Sequence, residues 1–156
     1  MPRVRKARTK VSPREWRDAN YGELADSVGF LLRRAQLAVL GDLIAALEPL
    51  DLSPAQFSVL VLIEANPDLA QSDLCAALGI QRPNFVSMLD ELEARQLTRR
   101  CASRLDRRIK TLALTPVGDR LLRRALTIHD AHEATLLKRL RTSGVHQLER
   151  LLKRLV

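Results

Sequence analysis

Residues 104–118 read RLDRRIKTLALTPVG, and the fold turns on how that run is divided. Arg104, Arg107, Arg108 and Lys110 crowd around a single acid, Asp106. From Ile109 to Leu114 apolar residues recur in the short pattern of a strand. Thr115-Pro116 then opens a helix: Thr is a good N-cap, and Pro is tolerated in the first turn because its missing N–H would have had no partner there. Thr98 to Ala102 is a second strand-like piece, and the polar segment 103–108 joins the two. The run therefore divides into a hairpin with a cationic tip, followed by the start of a new helix.

What precedes the hairpin gives it a context. A short helix spans roughly Gln71 to Leu78, with Gly79 placed to end it in the left-handed conformation. Another runs from about Arg82 to Arg95, with Phe85, Leu89 and Leu92 on one face and Met88 beside them. Arg82, Val86, Ser87 and Asp90 fall toward the outside. Two helices joined by a tight Gly-containing turn form a helix-turn-helix, and the hairpin after them is its wing. Further upstream, Ser53-Pro54-Ala55-Gln56 is a capping box, in which Ser53 and Gln56 satisfy each other's free amides. The helix it starts carries Phe57, Leu60 and Val61 and stops at Asn66-Pro67.

Both ends of the chain read as long amphipathic helices. From about Tyr21, Leu24, Val28, Leu31, Ala35, Val39, Leu43 and Leu47 form one stripe, which Leu32, Leu40 and Ile44 widen, and Pro49 ends it. After Thr115, Leu121, Leu122, Ala125, Ile128, His132, Leu136 and Leu140 form a second stripe. Ser143-Gly144 is expected to break it before a last helix with Val145, Leu148, Leu151, Leu152 and Leu155. The fold class is mainly α with a small β-hairpin wing. The expected organisation is a basic arm over 1–18, a winged helix-turn-helix over 50–114, and dimerisation helices over 19–49 and 115–156. Those end helices carry more apolar surface than so small a central module covers, which calls for a second copy of the chain.

Bulk properties agree. The chain has 156 residues, 46% hydrophobic and 28% charged, enough to bury a core. Aromatics are 3%, so that core is aliphatic and suits helices. A net charge of +8 favours a polyanionic partner. Two cysteines, Cys75 and Cys101, make neither a disulfide framework nor a four-ligand zinc site. No apolar run suits a membrane span, and the basic N-terminus lacks the apolar stretch of a secretory signal, so a reduced, cytoplasmic protein is expected.

The order of these parts resembles the MarR family of winged helix-turn-helix transcriptional regulators. The resemblance lies in Asp106-Arg107-Arg108, in Leu112-Ala113-Leu114-Thr115-Pro116-Val117-Gly118, and in the helix from Arg82 to Arg95, and it covers about residues 20 to 155. It implies a homodimer binding a near-palindromic operator in double-stranded DNA, usually as a repressor. It also implies release by a small effector, aromatic and anionic or of the acyl-CoA type. Val86 and Ser87 stand where the family often has Ser or Thr followed by Arg, and Gln96 replaces the usual Gly after that helix.

Candidate sites follow from both readings. Arg82, Asn84, Val86 and Ser87 face the major groove, where Val86 is able to touch a thymine methyl. Asp106 holds the guanidinium fork of Arg108, and by resemblance Arg108 enters the minor groove. Arg104, Arg107 and Lys110 are expected on phosphates, with Gln71 and Ser72 positioning the module and Arg99 and Arg100 adding phosphate contacts. Trp16, Tyr21, Arg17 and Arg33 make either part of an aromatic-anion pocket or an anchor for the arm. His129 and His132 are spaced i, i+3, yet only His146 remains in the chain, so no metal and no cofactor is expected. Cys101 lies beside two arginines, but redox-sensing relatives keep their cysteine near the start of the first long helix. A DNA-binding protein without ligand response, or with a redox response, is the alternative within the same fold. No nucleophile–base pair, Gly-rich phosphate loop or ligand cluster marks an enzyme.

Overall fold

Ser53 and Gln56 start the first well-buried helix by a reciprocal cap. The Gln56 amide donates to Ser53 Oγ at 3.2 Å, and the Ser53 amide donates to Gln56 Oε1 at 3.0 Å. In the computed structural model, which describes residues 20–103 and 108–155, the helix they open is α2, Pro54–Ala65. It ends at Asn66, whose side chain donates to the Leu62 carbonyl at 3.0 Å. Before α2 lie α1, Val28–Leu47, and a single 3-10 turn at Glu48–Leu50 that contains Pro49. After it come α3, Gln71–Ala77, and α4, Arg82–Ala94.

The α3–α4 turn shows why Gly79 stands where it does. Gly79 adopts φ +61°, its amide donates to Ala76 O at 3.0 Å, and the Ile80 amide donates to Cys75 O at 3.3 Å. These two bonds satisfy carbonyls that the end of α3 leaves open, and they need a left-handed residue between them. The Cys75 thiol also reaches the Ile80 carbonyl, at 3.0 Å.

Strands β1, Thr98–Ala102, and β2, Lys110–Leu114, pair antiparallel, with Thr98 opposite Leu114 and Ala102 opposite Lys110. Ala70 adds a bridge to Thr111 on the far edge of β2. Helix α5, Pro116–Leu152, follows at once, capped by Thr115 Oγ1, which accepts the Gly118 amide at 3.0 Å. The same hydroxyl donates to the Gln96 carbonyl, and the Thr115 amide donates to Leu97 O at 3.0 Å. The start of α5 is thus fastened to the turn between α4 and β1.

One aliphatic core unites these parts. Leu47, Val59, Leu60, Leu74, Phe85, Leu89, Leu92 and Leu122 are each at most 1% exposed. Burying each Leu among them contributes on the order of 2 kcal/mol. Phe57 and Phe85 are the aromatics of this core.

Two expectations about helix limits are corrected. The first helix is not continuous from Tyr21: Gly22–Asp26 is a 3-10 turn, and Ser27 is extended at ψ 120° before α1 begins. Asn20 Oδ1 accepts the Gly22 amide at 3.0 Å, a local side-chain bond that competes with helix. In α5 the backbone departs from helical values at Arg141 (φ 57°, ψ 156°) rather than at Ser143-Gly144. A Gly inside a helix costs only about 1 kcal/mol, too little to fix a break by itself.

The described residues up to Gly41 and those from Asp42 onward form two compact units. In the first, Tyr21 and Phe30 have ring centroids 5.1 Å apart, and the Arg34 guanidinium lies 4.7 Å from the Tyr21 centroid. Leu24, Val28, Leu31 and Leu32 there are 37–69% exposed. In the second unit, Leu137, Leu140, Leu148, Leu151 and Leu152 of α5 are likewise exposed.

Candidate nucleic-acid interface

Helix α4 has two faces. Phe85, Leu89 and Leu92 recur at i, i+4 and i+7 and are buried, which fixes the rotation of the helix. That rotation leaves Arg82, Asn84, Val86 and Ser87 exposed. Asn84 and Ser87 line a shallow hollow of about 200 Å³ with Ser53, Gln56, Met88 and Glu91. Gln56 Nε2 donates to Glu91 Oε2 across it at 3.1 Å.

Of the other predicted contacts, Ser72 is exposed on α3 and donates to Asp73 at 3.4 Å, while Gln71 is half-buried at the helix start. Arg108 and Lys110 are exposed at the end of the hairpin, as is Arg99 on β1. Arg104, Asp106 and Arg107 lie outside the described residues. The proposed hold of Asp106 on Arg108 therefore stays an expectation from sequence.

Arg100 departs from its expected place on phosphates. Its Nη2 lies 2.6 Å from Asp90 Oδ1 and its Nη1 lies 2.6 Å from Glu93 Oε2. Its backbone amide donates to Glu93 Oε1 at 2.9 Å. The hydrogen bond with Asp90 raises the guanidinium pKa above its ordinary value; partial burial opposes the shift, and the charges of Glu93 and Asp90 add to it. The side chain is committed to α4. Asp90 and Glu93 sit three apart on a helix, where a planar fork can bridge them.

Two further arginines brace this region. Arg95, at the end of α4, donates to the carbonyls of Asp51 (2.6 Å) and Leu50 (3.1 Å), tying α4 to the segment before α2. Arg123 of α5 pairs with Glu64 and Asp119, and the Glu64 charge is the largest cause raising its pKa. Beneath the hairpin a groove of about 850 Å³ runs between the sheet, the end of α2 and the start of α5. Glu64, Arg99, Cys101, Thr111 and Asp119 are among its lining.

The expected aromatic-anion cluster is re-drawn. Tyr21 is half-buried against Phe30, and Arg34 covers both rings, while Arg33 is exposed. Trp16 and Arg17 lie outside the described residues. On α5, His129 stacks on Phe57 with centroids 5.1 Å apart. The His132 side chain is 8% exposed, and neither ring nitrogen has a hydrogen-bond partner among the described residues. The role of Arg100 was hidden in the sequence because its partners lie seven and ten residues away across a turn. A charged β1 residue opposite two acids at i, i+3 of the preceding helix is the only signal that pointed to it.

Comparison with known proteins places this geometry. The MarR family profile matches residues 50–109. A protein of Thauera aromatica named as a transcriptional regulatory protein for the hcr operon is 32% identical over 122 residues, covering 78% of this chain and 74% of that protein. The transcriptional repressor CouR bound to a 23-mer DNA duplex superposes with a TM-score of 0.82 at 42% identity, covering 88% of this chain and 98% of CouR. CouR bound to p-coumaroyl-CoA gives 0.81 at 40% identity, over 88% of this chain and 97% of CouR.

Proposed function

From the premise that the chain belongs to the MarR family, we propose that it is a homodimeric, DNA-binding transcriptional repressor released from its operator by a small ligand. The observation that carries this reading is the exposed face of α4 beside a cationic hairpin, in a chain of net charge +8. A repressor of the same fold, at 42% identity, has been captured on a DNA duplex. Arg82, Asn84, Val86 and Ser87 read the major groove. Arg108 enters the minor groove, held by Asp106. Arg104, Arg107 and Lys110 contact phosphates, with Gln71 and Ser72 positioning the module. DNA places its work in the cytoplasm.

Dimerisation is supported by the apolar side chains left exposed along α1 and the distal part of α5. Leaving them in water has no compensating contact, and a second copy of the same helices supplies one. The domain plan is therefore dimerisation helices at 19–49 and 115–156 around a DNA-binding module at 50–114, with a basic arm at 1–18.

The ligand class is aromatic, either an acid or its CoA thioester, supported by the p-coumaroyl-CoA complex of CouR. Tyr21, Arg33, Trp16 and Arg17 are the candidate residues for meeting it, of which Trp16 and Arg17 lie outside the described residues.

Selection of bound duplexes from a random pool, with wild type and Arg108→Ala at one salt concentration, tests the reading. An inverted repeat that p-coumaroyl-CoA displaces from the wild type is expected, with weaker AT preference beside each half-site in the variant. If about six phosphates are neutralised per dimer, log K falls against log salt with a slope near about −5. No enriched repeat would refute sequence-specific binding. A repeat that neither aromatic acids nor their CoA thioesters displace would favour a regulator without ligand response.

A further inference from the structure

A two-stranded hairpin has little stability of its own, so its pitch depends on what grips its root. Beyond that root β1 runs against α4, and the ion pairs between the two elements converge on its middle residue. The side chain of Arg100 bridges Asp90 and Glu93, and its backbone amide takes the second oxygen of Glu93. Both oxygens of Glu93 are thus used by one residue of β1. A guanidinium fork fixes direction as well as distance, which an ammonium on a flexible stem does not.

The alternative use of Arg100, on a phosphate, would leave Asp90 and Glu93 uncompensated on the helix that faces DNA. Two acids there repel the phosphate backbone; paired with Arg100 they do so less. The clamp therefore serves two ends at once. It removes an unfavourable charge from α4 and ties the wing to that helix.

We propose that Arg100 is a positioning residue that sets the pitch of the wing on α4, so that major-groove and minor-groove contacts fall in register on one duplex. This rests on the DNA-binding reading above. Its consequence is specific. Loss of Arg100 removes no base contact, but it uncouples the wing from the helix, so preference for the sequence flanking each half-site weakens while the core of the half-site is still read.

The test is selection from a random duplex pool at one fixed salt concentration with wild type, Arg100→Ala, Arg100→Lys and Glu93→Gln. The quantity compared is the ratio of flank preference to core preference. A variant that merely loses folded protein weakens all duplexes together, and the ratio is unmoved. The expected result is a ratio reduced about fivefold in Arg100→Ala, with Arg100→Lys closer to it than to wild type and Glu93→Gln shifted in the same direction. An unchanged ratio in Arg100→Ala overturns the proposal, whatever happens to total binding. So does full retention by Arg100→Lys, which would reduce the residue to a bare charge. A wild type that selects no motif refutes the DNA-binding reading and the proposal with it; a wild type that selects one beside an unaltered Arg100→Ala refutes the proposal alone.

Discussion

Replacing Gly118 with Ala should be among the most damaging single-methyl changes available to this chain. A Cβ at residue 118 would lie 1.9 Å from the Leu97 carbonyl oxygen and 2.8 Å from its carbon. Carbon–oxygen contacts ordinarily begin near about 3.3 Å, so the start of α5 must retreat by roughly an ångström or more. The obstacle is backbone, not the end of a flexible side chain. Retreat breaks the Thr115 amide bond to Leu97 O, now 3.0 Å, and strains the Thr115 cap on Gly118. The lost backbone bond costs about 1 kcal/mol, the cap about 1 kcal/mol, and residual overpacking about 1–3 kcal/mol. Alanine's better helix propensity returns about 1 kcal/mol. The net expectation is a loss of about 3 kcal/mol, read by urea unfolding at fixed protein concentration, since association would otherwise shift the midpoint. Gly41→Ala in α1 is the control: nothing lies within 4 Å of a Cβ there, and stability should rise by up to about 1 kcal/mol. A Gly118→Ala loss below about 1 kcal/mol would show that the turn yields easily, and that Gly118 does not lock α5 to it.

Other substitutions probe single groups. Gln96 holds φ 55° after α4, and Gln96→Gly should gain about 0.5–1 kcal/mol by relieving it; a loss in urea midpoint would mean the glutamine side chain contributes more than the backbone costs. Thr98 is 3% exposed with its hydroxyl unpartnered among the described residues. Thr98→Val should therefore stabilise by about 1 kcal/mol in the same assay, and a destabilised variant would reveal a partner for that hydroxyl. His132→Leu replaces a buried imidazole whose ring nitrogens have no hydrogen-bond partner among the described residues, and should raise the melting temperature by a few degrees, roughly 2–4 °C. A fall instead would assign the imidazole a hydrogen bond supplied by the second subunit or a ligand.

Local chemistry was legible in the sequence wherever it closes within a few residues. The Ser53–Gln56 box, the Gly79 turn, the Thr115 cap and both strands announce themselves through side chains that bond their own neighbourhood. The left-handed place of Gln96 was legible too, because the position normally asks for Gly. Contacts closed through space were not. Arg100 reads as one more cation in a basic stretch until β1 folds back against α4. Gly118 reads as a family signature until Leu97 O is seen beneath it. The break at Ser27 was masked by an apolar stripe that continues across it, since periodicity reports which face is apolar and not whether the helix is whole. Arg34 rather than Arg33 covers Tyr21, a difference of one position that a helix turns into about 100° of rotation.

The grip of Glu93 on the Arg100 amide has a consequence for the chain's behaviour in company. A short two-stranded sheet offers two open margins, and each is a template on which a strand from another molecule can add. Here β2 meets Ala70 along one margin, and on the other a carboxylate already occupies an amide at the middle of β1. A stray strand would have to displace a charged acceptor that is itself held by a guanidinium. The outer margin of β1 can therefore face solvent with little risk of recruiting unwanted strands, and substitutions at Glu93 should be read for aggregation as well as for DNA.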